Sequence, residues 1–187
     1  LYQDGQSLEA IKVTEEVLKV ARETFGPEHP KVATALNNLG VFYFSIGKNK
    51  KLENFYKQAL RMREITLGPD HPFVAQSMNN LGELYRIQKN YSKAEPLFKR
   101  ALEIRENTHE PNHPDIGQSL NNLAELYKAQ GNFTAAEPLF LRSLKIEEVT
   151  LGPEHPKLAT SLNNLAGIYF YQRKLKDFQK LNQQPLM

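Results

Sequence analysis

The chain has 187 residues, 24 Lys and Arg against 21 Asp and Glu, a net charge of +3, and neither cysteine nor tryptophan. Lack of cysteine excludes a disulfide framework, a Cys-ligated zinc finger and a thiol nucleophile, and no apolar run of about 18 residues offers a membrane span. Acidic and basic residues alternate instead of forming a basic stripe, so a nucleic-acid footprint is not expected despite a pI near 9.0; with no secretory signal at the start, the default reading is cytoplasmic.

The elements follow a repeat. Asn-Asn pairs open at Asn37, Asn79, Asn121 and Asn163, each 42 residues after the last, and a fixed internal period governs the reading of what surrounds it. By that register Gly5 matches Gly47 and Gly131. Leu1 to Gln3 then reads as the last turn of a helix A, and Leu8 to Phe25 as a helix B whose first half-repeat lies upstream. Pro30 to Ile46 is the first whole helix A: proline suits the first helical position, and Gly47 suits the left-handed residue past the end. Lys51 to Thr66 is a B helix in which Leu52 replaces a small Ala and Asn54-Phe55-Tyr56 replaces Pro-Leu-Phe. This predicts altered packing and a half-exposed Phe55.

The units at 72–108 and 114–150 are the most regular. Ser92-x-x-Glu95 and Thr134-x-x-Glu137 have capping-box spacing and predict B-helix starts there, with Pro96 and Pro138 in the first turn. Pro156 to about Arg173 reads as a fourth helix A, and Leu175 to Gln183 as half a helix B ended by Gln184 to Met187. The expected boundaries are 1–26, 30–68, 72–110, 114–152 and 156–183 in one array over 1–187. Without polar capping helices, both ends should show apolar surface and invite self-association.

Within each A helix, Leu120, Leu123, Ala124 and Tyr127 recur at i, i+3, i+4 and i+7, one helical face. Leu36, Leu39, Gly40, Tyr43 and Met78, Leu81, Gly82, Tyr85 and Leu162, Leu165, Ala166, Tyr169 are the equivalents. The small member of each row makes sense where another helix approaches closely. A second amphipathic run follows, as in Ala94, Leu97, Phe98, Ala101 and Leu102, or Ala136, Leu139, Phe140, Ser143 and Leu144. Each unit is therefore a helical hairpin.

The order Leu-x-x-Leu-(Gly/Ala)-x-x-Tyr then Ala-x-x-x-Phe-x-x-(Ala/Ser) resembles the tetratricopeptide repeat, whose usual unit has about 34 residues. The longer period, the Leu-Asn-Asn-Leu core, Ala-Glu-Pro-Leu-Phe at 94–98 and 136–140, and Gly-Pro-(Glu/Asp)-His-Pro at 26–30, 68–72 and 152–156 are similar to the kinesin-light-chain type. HEAT-like repeats share a period near this one but lack the Leu-Gly-x-x-Tyr signature. The resemblance implies an all-α fold, a right-handed superhelical solenoid of antiparallel helix-turn-helix repeats, with the A helices lining a concave groove.

On that reading Asn121, Glu125 and Lys128 lie about 100° round from the packing face. Gln118 lies on the same face, and the equivalent sets are Thr34, Asn37, Val41 and Phe44; Gln76, Asn79, Glu83 and Arg86; and Thr160, Asn163, Gly167 and Phe170. Asn38, Asn80, Asn122 and Asn164 lie one residue further round. Asn is a poor helix former, and a ladder of amides can donate to and accept from an extended peptide; equally, one amide of each pair can bond the adjacent helix and set repeat spacing. Groove positions that hold Lys and Arg in carboxylate-clamp tetratricopeptide domains carry Asn, Thr and Gln here. Arg86 and Lys128 could attract acidic peptides, but Glu83 and Glu125 stand three residues before them and partly neutralise the effect.

His29, His71, His113 and His155 recur one per repeat, too far apart along a solenoid to share an ion at about 2 Å; they read as loop and helix-start residues, and no metal or cofactor is expected. Asn90-Tyr91-Ser92 and Asn132-Phe133-Thr134 match the glycosylation sequon but fall in ordinary inter-helix turns. No nucleophile–base pair, phosphate loop or carboxylate cluster stands out, so no enzyme is expected. The expected function is a scaffold holding a peptide or partner segment in the groove. Two alternatives are a structural module that stacks through its ends without a groove ligand, and single-stranded RNA binding, which Glu83 and Glu125 oppose.

Overall fold

The computed structural model describes residues 2–47 and 51–182, with side chains over 8–47 and 51–173. Among them are eight α-helices: α1 Tyr2–Phe25, α2 Pro30–Ser45, α3 Leu52–Leu67, α4 Pro72–Ile87, α5 Tyr91–Thr108, α6 Pro114–Ala129, α7 Phe133–Leu151 and α8 Pro156–Asn182. The even-numbered helices are the A helices and α3, α5 and α7 their B partners, an all-α solenoid of antiparallel hairpins. No described helix is long and apolar enough to cross a membrane. The chain divides into two compact units, Leu1–Ile104 and Arg105–Met187.

Each A helix starts the same way. Proline occupies the first position of α2, α4 and α6, and the histidine before it is the N-cap. Nδ1 of His29, His71, His113 and His155 accepts the N–H two residues on, at 3.1–3.2 Å. The recurrent histidines thus satisfy helix-end donors that have no partner within the helix.

The α4-to-α5 and α6-to-α7 turns are Schellman caps. Asn132 N–H bonds Tyr127 O at 2.8 Å and Gly131 N–H bonds Lys128 O at 3.0 Å, with Gly131 at φ 75°. Asn90 and Lys89 make the same pair to Tyr85 and Arg86, with Lys89 at φ 58° although it carries a side chain. Asn132 also caps the next helix, its Oδ1 accepting from Ala135 N–H at 3.2 Å. Helix α7 therefore starts at Phe133 and not at the Thr134 capping box, and α5 starts at Tyr91 ahead of Ser92. One correction follows: Pro96 and Pro138 are the sixth residues of their helices, in the second turn, because the shared Asn starts each helix early.

The ends differ from the sequence expectation in the same sense. Helix α1 runs unbroken through Gly5, and α8 runs 27 residues through Arg173. Neither position takes the left-handed conformation of Gly47, Lys89 and Gly131. At Arg173 a left-handed residue costs about 1–2 kcal/mol, so the helix continues. Leu1 and Gln183 to Met187, used in the sequence reading of the ends, lie outside the described residues.

In the first unit Ile11, Leu18 and Ala21 of α1 pack with Val32, Ala35, Leu36 and Leu39 of α2 and Ala59 of α3. Val74, Ala75 and Met78 of α4 meet Ala101 and Ile104 of α5. Leu52 is fully buried and Phe55 is half-buried, stacking on Tyr43 at 5.7 Å. In the second unit Ala124 joins Ala136, Phe140 and Leu144 of α7 and Leu158, Leu165 and Ile168 of α8. Each fully buried Leu or Phe contributes about 1.5–3 kcal/mol. The small residue of the A row is where the helices close in: a Cβ at Gly40 would collide with the Tyr56 ring, and one at Gly82 would lie 2.8 Å from Phe98 Cε1.

Polar side chains lock each B helix to the next A helix within each unit. Arg63 of α3 is buried and donates to Phe73 O, Gln76 Oε1 and Ser77 Oγ of α4 at 2.8, 3.1 and 2.8 Å. Arg105 reaches Asp115 O, Gln118 Oε1 and Ser119 Oγ of α6. At the next equivalent place stands Glu147, which accepts from Ser161 Oγ at 2.5 Å and pairs with Lys157 at 3.0 Å. Burial lowers the pKa of both arginines, yet a guanidinium stays charged and needs those acceptors.

Candidate functional site

The A-helix face splits into a buried row and an open one. Asn37 and Asn79 are each only 4% exposed. Asn37 Oδ1 accepts from Asn80 Nδ2 at 2.9 Å, so this amide joins α2 to α4. The groove expectation for Asn37 and Asn79 is corrected here: a helix that meets neighbours on two sides buries more than the single stripe the spacing suggested.

The neighbouring row stays accessible. Asn38 is exposed, and Asn80, Asn122 and Asn164 are half-buried. Asn121 is half-buried and Asn163 exposed, so the first amide of the pair is covered in the first unit and accessible in the second. Phe44 is half-buried, and Phe170 is 57% exposed beside Tyr171, whose ring stacks on Phe133 at 5.1 Å. Gln76 and Gln118 are exposed but turned towards Arg63 and Arg105.

The charges of this face are paired. Arg86 grips Glu83 with two bonds of 2.7 Å. Lys128 Nζ meets both Glu125 oxygens at 2.9 and 3.1 Å and donates to Asn164 Oδ1 at 3.1 Å. The i,i+3 neutralisation expected from spacing is thus present in both units. Arg86 and Lys128 are held in place and do not project as unpaired cations.

Tyrosine hydroxyls tie the A helix back to the preceding B helix. Tyr43 donates to Glu15 at 2.9 Å and Tyr85 to Glu53 at 2.8 Å. Bonding from Lys57, then from Tyr85, holds the Glu53 carboxyl below its usual range. In the first unit, an apolar cleft of about 670 Å³ opens beside Thr34 and Asn38, walled by Val13, Val17, Val20 and Phe25 of α1. These four side chains are all more than two-fifths exposed.

A cluster that spacing alone did not single out lies in the loop before α6. His109 stacks on His113 with ring centroids 4.0 Å apart, and its Nε2 is 3.8 Å from Asp115 Oδ2. Burial, then the neighbouring His113, holds the His109 pKa below its usual value. The available signal was a departure from the repeat: Phe25, Leu67 and Leu151 stand where His109 does. Arg63 and Arg105 left a comparable signal, each 14 residues before a serine.

The tetratricopeptide repeat family model matches residues 1–65, 32–107, 80–148 and 115–177. No curated protein matches the chain. Among solved structures the chain is similar to BtubC (BKLC) from P. vanneervenii, at 33% identity and a TM-score of 0.70 over 81% of this chain and 60% of that one. It therefore spans less than two-thirds of BtubC. A kinesin-light-chain-type protein of Podosopora anserina with nearly identical TPR-like repeats aligns at 27% identity and a TM-score of 0.75, covering 97% of this chain and 87% of the other. The apo form of RapI shares the fold at 16% identity, with a TM-score of 0.73 over 91% of this chain and 45% of RapI.

Proposed function

The chain belongs to the tetratricopeptide repeat family, typically a non-catalytic protein-interaction scaffold, and from that premise we propose that it holds a peptide or partner segment against the open faces of its A helices. The observation that carries this reading is the accessible amide row. Asn38, Asn122 and Asn163 remain at the surface of helices where Asn is unfavourable, whereas the packing role of the buried row is explained by the Asn37–Asn80 bond. Within the second unit Asn121 and Asn163 stand one repeat apart, a spacing that suits the backbone of an extended segment, each bond adding about 0.5–1.5 kcal/mol. Micromolar affinity needs about 8 kcal/mol, so apolar side chains would supply the rest. In the second unit the aromatic surface at Phe170 and Tyr171 is suited to receive them; in the first unit, taken by itself, the cleft beside Asn38 is.

With its cations already paired, the face favours a segment of mixed or neutral character over a strongly acidic one. The test is selection of a random peptide library on the full chain, followed by measured affinities. Binders should lose at least tenfold in the double variant Asn121→Ala/Asn122→Ala and lose nothing in Arg61→Ala on α3. Binders indifferent to the amides would overturn the reading.

A second reading rests on the exposed row Val13, Val17, Val20 and Phe25: the chain associates with itself or a neighbouring module through that apolar surface and has no ligand on the A-helix face. The cytoplasm is the compartment we propose.

A further inference from the structure

In the loops before the A helices, the side chain four residues ahead of the capping histidine can lie against its ring. Phe25 stacks on His29 with centroids 4.6 Å apart, as His109 does on His113 at 4.0 Å. Leu67 and Leu151 hold the same position in the other copies, so this contact does not require histidine. The third copy departs again at Asp115, where the others carry Lys31, Phe73 and Lys157. These two departures converge in space. His109 Nε2 is buried without a hydrogen-bond partner and faces Asp115 Oδ2 at 3.8 Å. One donor atom from each of His109, His113 and Asp115 lies within 4.8 Å of the others.

We propose that this loop binds a divalent transition-metal ion of the zinc class through His109, His113 and Asp115. His113 Nδ1 is occupied by the Asp115 N–H, which leaves Nε2 as its ligand atom. Zinc sits about 2.0–2.1 Å from each donor, so binding draws the three atoms closer, by a turn of the His109 ring out of its stack. Arg105 Nη2 lies 3.9 Å from the same Asp115 oxygen. One carboxylate shared with a guanidinium is a poor site for oxygen-seeking Mg²⁺ or Ca²⁺, whereas two imidazoles suit zinc, nickel or copper. Three protein ligands leave the fourth position to water or to a group from a partner. The ion ties the loop to the first turn of α6.

The test is calorimetric titration of metal-stripped, tag-free full chain with Zn²⁺, alongside thermal melts. One zinc per chain should bind and raise the melting temperature, while Mg²⁺ and Ca²⁺ leave it unchanged. His109→Phe, which keeps the stack as Phe25 does, and Asp115→Asn should each weaken zinc binding at least tenfold while the apo chain retains its helical circular-dichroism signal. Zinc bound equally well by His109→Phe would mean only adventitious surface histidines, and absence of zinc binding by the wild-type chain would equally overturn the proposal.

Discussion

Neighbouring asparagines in one helix do different work, and the difference is measurable. Asn37 is buried and accepts from Asn80; Asn38 is exposed. Removing one partner of a covered hydrogen bond leaves the other unsatisfied, so Asn37→Ala should cost about 1–2 kcal/mol in urea melts, whereas Asn38→Ala should stay within about 0.5 kcal/mol. Equal costs would undo the division of the amides into packing and open rows. Tyr56 makes a second residue-scale case. It is 3% exposed, and burial pushes its pKa up to about 12. An unfolded tyrosine titrates near pH 10, so between pH 10 and 12 the unfolded chain releases a proton that the folded chain keeps, and stability falls as pH rises. Burial also raises the pKa of Tyr43 and Tyr85. The reading is therefore the difference between wild type and Tyr56→Phe, which should lose stability less steeply over that window. The burial of Tyr56 was legible from spacing, because it stands in register with Phe98 and Phe140; that of Asn37 was not. The period says which face meets helix B, but the second neighbour of each A helix is a repeat away.

At the scale of the element, turns and close approaches decide. Lys89 holds a left-handed conformation that Gly47 and Gly131 supply elsewhere without a side chain. Lys89→Gly should therefore stabilise the chain by about 1 kcal/mol, read as a raised melting temperature; a fall would mean that the extra freedom of glycine in the unfolded chain outweighs the relief. Gly40 presents the opposite case. Alanine is the better helix former by about 1 kcal/mol, but its Cβ would run into the buried Tyr56 ring. Overpacking costs about 1–3 kcal/mol, so Gly40→Ala should lower the melting temperature despite the propensity gain. The third copy carries Ala124 in this row, in one cluster with Phe140, which shows that the accommodation is local to each hairpin. The Gly-to-Tyr row and the proline starts could be read directly from the sequence. The helix B starts could not, because Asn132 serves two helices at once and the capping-box motif at Thr134 lies inside the helix.

For the whole molecule, repetition replaces a central core: each helix buries its apolar face against sequence neighbours, so a period and a face suffice to specify the fold. Val13 and Val17 of α1 are exposed apolar surface. If that surface drives association, light scattering should show mass rising with concentration, and Val13→Lys/Val17→Lys should return the chain to one mass; a constant wild-type mass would leave the A-helix face as the interaction surface. Read alone, the sequence determined the all-α repeat, the order of its hairpins, the packing faces of α2, α4 and α6 and the pairing of Glu83 with Arg86 and Glu125 with Lys128, because these depend on contacts three or four residues or one hairpin apart. In α8 the expected face is corrected, since Leu165 is buried but Leu162, Ala166 and Tyr169 are exposed. Only the tertiary structure decided which asparagine was covered, where Arg63, Arg105 and Glu147 found their partners, and that His109 comes to lie by Asp115. Those contacts cross between helices whose side-chain directions follow from how neighbouring repeats pack, and a one-dimensional period carries no record of that.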